Sequence, residues 1–433
     1  MEPSAAIQIA NHLLEGLGFM LAIGLAGIVL AKRTGIPDVA IFLVVGMLLG
    51  PQAAGRLAGD AASGGVIAQT FAHIAGLLAI PADSAINQGI LTLGAAYILF
   101  DGGASLRLKV LSEVWISITV ISTVGVLITA FVTAGAAYYI LHVPFIVALL
   151  LGSTIASTDP ATLVPVFRQV PIKDRVAQTV MSESAFNDAM GAIITFAILG
   201  VATGAGEFSL SHALFDLVKE SFLGIATGLL LGYVAVNLIA HKQFGVLADF
   251  APIVTLTGVI GSYMVAVAVG GSGFMAVFVF GIAIGNMDAF GLHVAHETGE
   301  KMENYVAITA TIWRTFIFTL LGAQVDFALM NQYLGGGILV VLIFMLIARP
   351  LTVFLCVKPD RRANWSNNEM LFMCWTRETG VIPAALAGMM MGMKAPGAPI
   401  IASVTFIAVL MTILIQATTT AKVGDKLGLL IKK

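Results

Sequence analysis

Four oxygen-bearing side chains follow one another on consecutive turns of the segment SESAFNDAMG, residues 182–191. In an α-helix, Glu183 and Asn187 are four residues apart and share one face. Ser184 and Asp188 share the adjacent face. Carboxylate, hydroxyl and amide oxygens can surround a hard, dehydrated cation, and a buried carboxylate holds its proton until a cation replaces it. Asp188 could therefore bind either a proton or a cation, which is the minimal requirement for exchanging the two.

A second polar stretch, STDPATLVPVF at residues 157–167, lies inside an apolar run. Pro160 removes a backbone donor and disfavours helical conformation at Asp159, so the helix should break there. A plain proline kink is the simpler alternative. A break would leave carbonyls unpaired and expose a half-helix N-terminus, which Asp159 could cap. Because broken helices at membrane depth mark transporter ion sites, we expect Thr158 and Asp159 to contribute to one.

A further interruption is predicted in WTRETGVIPAAL, residues 375–386, where Gly380 and Pro383 break another apolar run. The two broken helices run in opposite directions in corresponding halves of the chain, which is typical of inverted repeats that cross at the membrane midplane. Arg377 would offset the negative ends of the half-helices. Glu378, which points to a different face, is predicted to be structural.

Other charged residues inside apolar runs are costly, so each needs a partner or a function. Asp101, in ILFDGGASL, either lines an ion pathway or ends a helix at the membrane interface. Arg314 requires a partner that the sequence does not name. Arg349 precedes Pro350 near the inner end of its run, and we expect its long side chain to reach the membrane surface there.

The elements that must position these residues are membrane helices, and the predicted fold class is an all-α polytopic membrane protein. Of the 433 residues, 58% are hydrophobic and only 11% are charged, against about 25% charged in soluble domains. This composition excludes a soluble enzyme, a secreted protein and a disordered chain. Apolar runs long enough to cross a bilayer predict thirteen spans, near residues 13–31, 38–54, 87–104, 114–140, 145–166, 176–203, 214–240, 249–269, 272–289, 304–323, 334–357, 368–393 and 397–420.

The distribution of basic residues predicts the orientation. The stretch 55–86 is interpreted as an external loop with a short interfacial helix near 63–80, because an extra span there would place every later loop on the wrong side. With thirteen spans and the N-terminus outside, sixteen of the 22 Lys and Arg residues fall in inner loops, as the positive-inside rule requires. The predicted topology is therefore N-terminus outside and C-terminus inside.

Together, the STDP stretch, the S-E-S-A-x-N-D run and the T-R-E-x-G segment resemble the NhaP branch of the monovalent cation/proton antiporters. The segments LFDGG, GSGFMAVFVFG (271–281) and FIFTLLGA extend the resemblance over most of residues 87–390. The Asn187–Asp188 pair is the most specific element, since electrogenic relatives have two acids there and electroneutral exchangers have this Asn-Asp. Many members have Glu where Asp101 stands, and the shorter side chain argues against direct ligation by Asp101.

The resemblance implies an NhaA-like fold with inverted repeats, thirteen helices, and a homodimer in which a core domain moves against a dimerisation domain. The core would comprise about 113–204 and 334–422, and the dimerisation part about 13–104 and 214–323. The family's structural ion pair corresponds to Glu183 with Arg377. Its cation- and proton-binding positions correspond to Thr158, Asp159, Ser184, Asn187 and Asp188, with Asp101 as the acid of the third span.

Two other patterns are better explained by structural roles than by catalysis or metal binding. Residues 270–273, Gly-Gly-Ser-Gly, match the G-x-S-G of rhomboid-type serine proteases, with Ser272 as nucleophile. That chemistry needs a His at membrane depth, whereas His293 and His296 belong to a charged inner loop, so close packing of small residues is the better account. The sequence His293-x-x-His296-Glu297 offers two potential metal ligands but no third, so it is interpreted as a solvated or pH-sensing loop.

From the sequence we therefore predict an electroneutral sodium/proton antiporter of a bacterial plasma membrane, a transporter and not an enzyme. Asp188, Asp159 and Ser184 would hold the monovalent cation. The predicted partners are monovalent cations, protons, the lipid bilayer and a second copy of the chain, with no nucleic acid and no cofactor beyond the transported ions. A potassium/proton antiporter, a sodium-coupled symporter and a passive channel are alternatives; the Asn-Asp pair beside the break argues against the last two without excluding the symporter.

Overall fold

The structure, a computed structural model, describes residues 5–58, 65–82, 84–158, 162–163, 166–167, 170–204, 210–240, 247–292 and 296–431. Asp159 and Pro160 of the first predicted break, His293, and the side chain of His296 lie outside the described part. The helices are α1 Ala5–Thr34, α2 Asp38–Leu49, α3 Pro51–Ala58, α4 Val66–Leu77, α5 Ala85–Ala104, α6 Leu108–Leu141, α7 Phe145–Thr154, α8 Asp174–Ala202, α9 Leu210–Ala240, α10 Ala251–Ala268, α11 Gly273–Gly285, α12 His296–Ala323, α13 Phe327–Gln332, α14 Leu334–Cys356, α15 Asn367–Trp375, α16 Val381–Gly392 and α17 Ala398–Lys426.

The all-helical prediction is confirmed, and helical structure is present in every predicted span. Nine helices in the described ranges are long and apolar enough to cross a membrane, and shorter apolar helices lie at α4, α7, α11 and α16. In the same ranges, β-structure is limited to one bridge between Ile172 and Leu430. The chain is therefore a multi-pass membrane protein. The count of thirteen crossings and their orientation stay predictions.

Glycines allow neighbouring helices to approach backbone to backbone. A Cβ on Gly46 of α2 would overlap the backbone of α12, and one on Gly322 of α12 would overlap the backbone of α2. Gly103 of α5 and Gly281 of α11 are placed in the same reciprocal way. In a bilayer, where lipid tails are as apolar as the helices, such close van der Waals contact drives association. These contacts join α2 to α12 and α5 to α11, and because α5 also packs along α12, the four helices form one group.

The Gly-Gly-Ser-Gly segment before α11 is confirmed as a packing element. A Cβ on Gly271 would lie 2.9 Å from the backbone nitrogen of Gly224 on α9. The Ser272 hydroxyl accepts a hydrogen bond from the Met275 N–H at 3.3 Å and thereby caps α11. Ser272 therefore satisfies an exposed donor of the helix end, as N-cap serines do.

The remaining membrane helices form a second group. Helix α6 packs along α7, α8 and α14, and α17 packs along α14 and α16. Between the two groups, α8 touches α5 and α11, and α16 touches α5 and α12. The helix α8, which contains the SESAFNDAMG run, is thus surrounded by protein along its middle. The assignment of the groups as moving core and stationary dimerisation part stays a prediction.

Helical structure is interrupted at both predicted stretches. Helix α7 ends at Thr154, and residues 155–158 are not helical. The second interruption separates α15 from α16 over residues 376–380. Pro383 lies in the first turn of α16, where a missing N–H costs no helical hydrogen bond. The second interruption is thus confirmed within residues 375–386. The first helix ends at Thr154, earlier than predicted, and Pro160, to which the break was assigned, lies outside the described residues.

Candidate ion-binding site

The first break is tied to α8 through one side-chain amide. Asn187 Oδ1 accepts a hydrogen bond from the Thr158 backbone N–H at 3.0 Å, and Asn187 Nδ2 donates to Thr158 Oγ1 at 2.9 Å. Both residues are buried. One turn later, a Cβ on Gly191 would lie 3.1 Å from Ser157 Cβ, so the glycine gives the broken segment room to lie against α8. Asn187 thus satisfies a donor that the helix break leaves without its helical partner.

Ser184 and Asp188 lie on the adjacent face of α8, as their spacing predicts. The side chains are 0% and 1% exposed, respectively. Asp188 is the residue after Asn187, so its side chain leaves α8 on the same helical turn as the amide that binds Thr158. Of the predicted ligands, Ser184, Asn187 and Asp188 therefore lie on one stretch of α8, and Thr158 of the first break is bonded to Asn187. Asp159 lies outside the described residues.

Glu183 is the centre of a buried charge network. Its two carboxylate oxygens accept hydrogen bonds from Arg349 Nη1 at 2.5 Å and Nη2 at 2.8 Å. Arg377 Nη1 reaches the same carboxylate at 3.5 Å. The predicted contact between Glu183 and Arg377 is thus present, but the bidentate and therefore stronger partner is Arg349.

The expectation that Arg349 reaches the membrane surface is wrong. Arg349 is 0% exposed, and its Nε donates to the Met373 carbonyl at the end of α15 at 2.8 Å. A guanidinium can remain charged at this depth because Glu183 and a backbone carbonyl satisfy its donors. Glu378, also fully buried, adds a second carboxylate that acts electrostatically on Arg349. Glu183, Glu378, Arg349 and Arg377 therefore form a network of two acids and two bases.

Arg377 joins the two broken helices. From the second break, its Nη2 donates to the carbonyl of Ala156 in the first break. Its guanidinium carbon also lies 5.3 Å from the ring centre of Phe344, within the range of a cation–π contact. This geometry confirms the prediction that Arg377 offsets the carbonyl dipoles exposed where a helix ends.

Two π-helical segments face the second break, and no pattern in the sequence predicts them. One covers Phe344–Ala348 in α14, directly before Arg349, and the other covers Thr412–Ala417 in α17. Thr412 Oγ1 accepts a hydrogen bond from the Thr379 N–H at 3.0 Å. The π segments thus supply a ring and a hydroxyl to the interrupted backbone, consistent with the frequent occurrence of π-bulges at functional sites.

Asp101 is buried in the last turn of α5. It is 1% exposed and lines a cavity of about 460 Å³ between α5, α11 and α12, together with Ser105, Glu303 and Asn304. Of its two sequence-based interpretations, the cavity favours the ion pathway. The described lining of this cavity does not include Asp188, so direct ligation by Asp101 stays untested.

Arg314 of α12 pairs with Asp38 of α2, and both helices belong to the group formed by α2, α5, α11 and α12. Its Nη2 lies 3.6 Å from Asp38 Oδ2, and it also donates to Thr311 Oγ1 at 2.8 Å. Asp38 is the first residue of α2, where the helix dipole favours a carboxylate. The pair connects the start of α2 to the middle of α12. The sequence could not name this partner because Asp38 stands at the boundary of its span and resembles an ordinary helix cap.

These features define the class of the protein: a multi-pass helical membrane protein in which buried carboxylates and arginines meet where two interrupted helices pass each other. Such sites are characteristic of secondary transporters. Residues 19–426 match the sequence profile of the family described as "Sodium/hydrogen exchanger, transmembrane". The chain belongs to this family, whose members are transporters rather than enzymes.

Individual relatives agree with this assignment. The chain is 31% identical to "Na(+)/H(+) antiporter 1" of Methanocaldococcus jannaschii over 387 residues, which cover 86% of this chain and 81% of the relative. It is 26% identical to "K(+)/H(+) antiporter NhaP" of Alkalimonas amylolytica, covering 96% of this chain and 67% of that longer protein. The solved structure of the sodium proton antiporter MjNhaP1 from Methanocaldococcus jannaschii at pH 8 superposes with a TM-score of 0.73 at 28% identity, covering 96% of this chain and 99% of that one.

Proposed function

We propose that this protein is an electroneutral sodium/proton antiporter that exchanges cytosolic Na⁺ for external H⁺ by alternating access. The observation that carries the proposal is the buried carboxylate of Asp188, which stands with Ser184 beside a helix break inside a membrane protein. A carboxylate at this depth must be neutralised, either by a proton or by a cation. The two ions therefore compete for one group.

The transport cycle follows from this competition. In the inward-facing state Asp188 releases its proton and takes up a cation, with Ser184, Thr158 and Asp159 as further oxygen ligands. Because the bound cation neutralises the carboxylate, the core can move its site past the apolar barrier between the two helix groups. On the outer side, protons displace the cation.

The neighbouring groups support a stoichiometry of one proton per cation. Asn187 carries no charge, and its amide is engaged by Thr158. Glu183 is neutralised by Arg349 and Arg377, so it does not need to release a proton during the cycle. We therefore assign the exchange to Asp188, with the pH gradient alone as the driving force.

The relatives do not all point to the same cation. One similar protein is named for Na⁺ and another for K⁺, and selectivity depends on the size and rigidity of the ligand cage. We assign Na⁺, or Li⁺, since the relative of higher identity is the sodium antiporter. A potassium/proton antiporter is the second candidate.

Proton flux in everted membrane vesicles tests the proposal. The host should lack its own exchangers, and a pH-sensitive dye should follow the interior after Na⁺, Li⁺ or K⁺ is added separately. We expect a cation-dependent alkalinisation with Na⁺ and Li⁺. A response to K⁺ alone would establish the potassium exchanger. No response to any cation, from protein shown to be folded, would contradict exchange and favour a sodium-coupled symporter.

Replacing Asn187 with Asp should make transport sensitive to membrane potential. The new carboxylate can still accept the Thr158 N–H, so the helix break is retained, but it adds a second titratable acid beside Asp188. Transport rates of Asn187→Asp and the parent chain should be compared in liposomes with and without a potassium diffusion potential. A variant rate that does not change with potential would contradict the role assigned to the neutral amide.

The cellular setting completes the proposal. We place the protein in a bacterial plasma membrane, with the N-terminus outside and the C-terminus inside, as the basic inner loops favour. We further propose a homodimer in which α1, α2, α5 and α9–α12 form the stationary part and α6–α8 with α14–α17 form the moving core.

A further inference from the structure

The C-terminal segment that follows α17 is built into the ion-binding half of the protein. Residues 427–431 leave the helix through Gly428, whose φ of +67° favours glycine. Leu430 then forms an antiparallel bridge with Ile172. The Leu429 carbonyl accepts from the Lys173 N–H at 3.1 Å, and the Ile431 N–H donates to the Pro171 carbonyl at 2.7 Å. We call residues 427–431 the C-terminal strand.

The segment that the C-terminal strand holds, residues 170–173, lies between Thr158 and α8 in the chain. Residues 170–173 follow the first broken helix and precede α8, and Lys173 is the N-cap of α8. Thr158 lies in the first break, after the end of α7, and α8 contains Asn187 and Asp188. Because residues 170–173 lead directly into α8, a displacement there shifts the start of the helix that carries Asn187 and Asp188.

Apolar packing and one side-chain hydrogen bond reinforce the backbone contacts. Leu429 is 1% exposed and belongs to the same buried cluster as Ile172, Val176 and Phe372. Asn368, in the first turn of α15, donates from Nδ2 to the Leu427 carbonyl at 3.0 Å. Since α15 leads into the second break, the C-terminal strand contacts the approaches to both broken helices.

We infer that the C-terminal strand is a positioning element for cation binding, which sets the distance between the Thr158 break and the Asp188 turn by fixing residues 170–173. The inference rests on the proposed function. Its consequence is specific: loosening the strand lowers the affinity for the cation, because affinity depends on ligand spacing. The maximal rate, which depends on the movement of the assembled core, changes little.

A matched pair of variants at Ile431 tests this role. Ile431→Pro removes the N–H that bonds the Pro171 carbonyl, while Ile431→Ala keeps that N–H and shortens a side chain that is already 46% exposed. We expect Ile431→Pro to raise the half-saturating Na⁺ concentration about fivefold, as loss of one hydrogen bond coupled to the site implies. Ile431→Ala should match the parent chain, and the maximal rate should be retained in both.

Amide hydrogen exchange supplies a readout that does not depend on transport. In the purified full chain, the Lys173 amide and the first turn of α8 should lose protection in Ile431→Pro and keep it in Ile431→Ala. If Ile431→Pro loses amide protection but keeps the half-saturating Na⁺ concentration of the parent chain, the inference is overturned. The strand would then hold residues 170–173 without affecting the site. Unchanged protection and unchanged half-saturation would overturn the inference as well. If the parent chain shows no cation-dependent flux, the proposed function fails first, and the two failures are thereby distinguished.

Discussion

Asp188→Asn should abolish cation-dependent proton flux while the protein remains folded. Asparagine has nearly the shape of aspartate, so the packing of the fully buried position is conserved. It cannot, however, release a proton or balance the charge of a bound cation, and the cycle loses the group on which both ions depend. We expect flux at the level of vesicles without the protein for Na⁺, Li⁺ and K⁺ alike.

Asp174→Asn is the matched control for this variant. It makes the same chemical change on the same helix, at a side chain that is 57% exposed and 3.7 Å from the solvent-accessible Arg107. Such a surface pair contributes about 0–1 kcal/mol, so this variant should exchange cations as the parent chain does. Cation-dependent flux by folded Asp188→Asn would show that the shared carboxylate lies elsewhere.

Glu183→Gln should cause the largest loss of stability of any single substitution at the site. It leaves Arg349 and Arg377 buried without the carboxylate that binds both. Removing one member of a buried ion pair costs about 3–5 kcal/mol, because the remaining charge is uncompensated. Glu378 can offset part of that charge, so the effect should lie at the lower end of this range.

Thermal unfolding of the purified protein in detergent measures this effect. Glu113→Gln provides the control, since Glu113 is exposed on α6 and its substitution should leave the unfolding temperature unchanged. A Glu183→Gln protein that unfolds at the parent temperature would mean that the two arginines are neutralised by groups other than Glu183.

The sequence predicts the site on α8 well because helical periodicity fixes which residues share a face. The spacing of Ser184 and Asp188 and the interruption at residues 375–386 both follow from local rules. The contact between Asn187 and Thr158 does not, since residues so far apart in sequence meet only through the packing of α7 on α8. The sequence marks both residues as polar and buried without stating that one holds the other.

Arg349 shows where such reasoning fails. Its position before Pro350 and near an inner helix end favoured a surface location, and side-chain length alone made that location attainable. The structure instead turns the guanidinium inward, towards Glu183 on α8 and the end of α15. The signal that was available is charge balance: the acidic pair Glu183 and Glu378 requires two buried bases, and Arg377 supplies only one.

We propose above that one carboxylate, Asp188, binds the cation and the proton in turn, so the affinity for the cation must depend on pH. The half-saturating Na⁺ concentration should be measured from pH 5 to 9 in proteoliposomes, with equal pH on both sides at the start. If one proton competes with one cation, the half-saturating Na⁺ concentration should rise about tenfold for each unit by which the pH falls at the acidic end. The maximal rate should stay unchanged. A half-saturating concentration that stays constant while the maximal rate falls would show that protons act at a different group, and the claim would be contradicted.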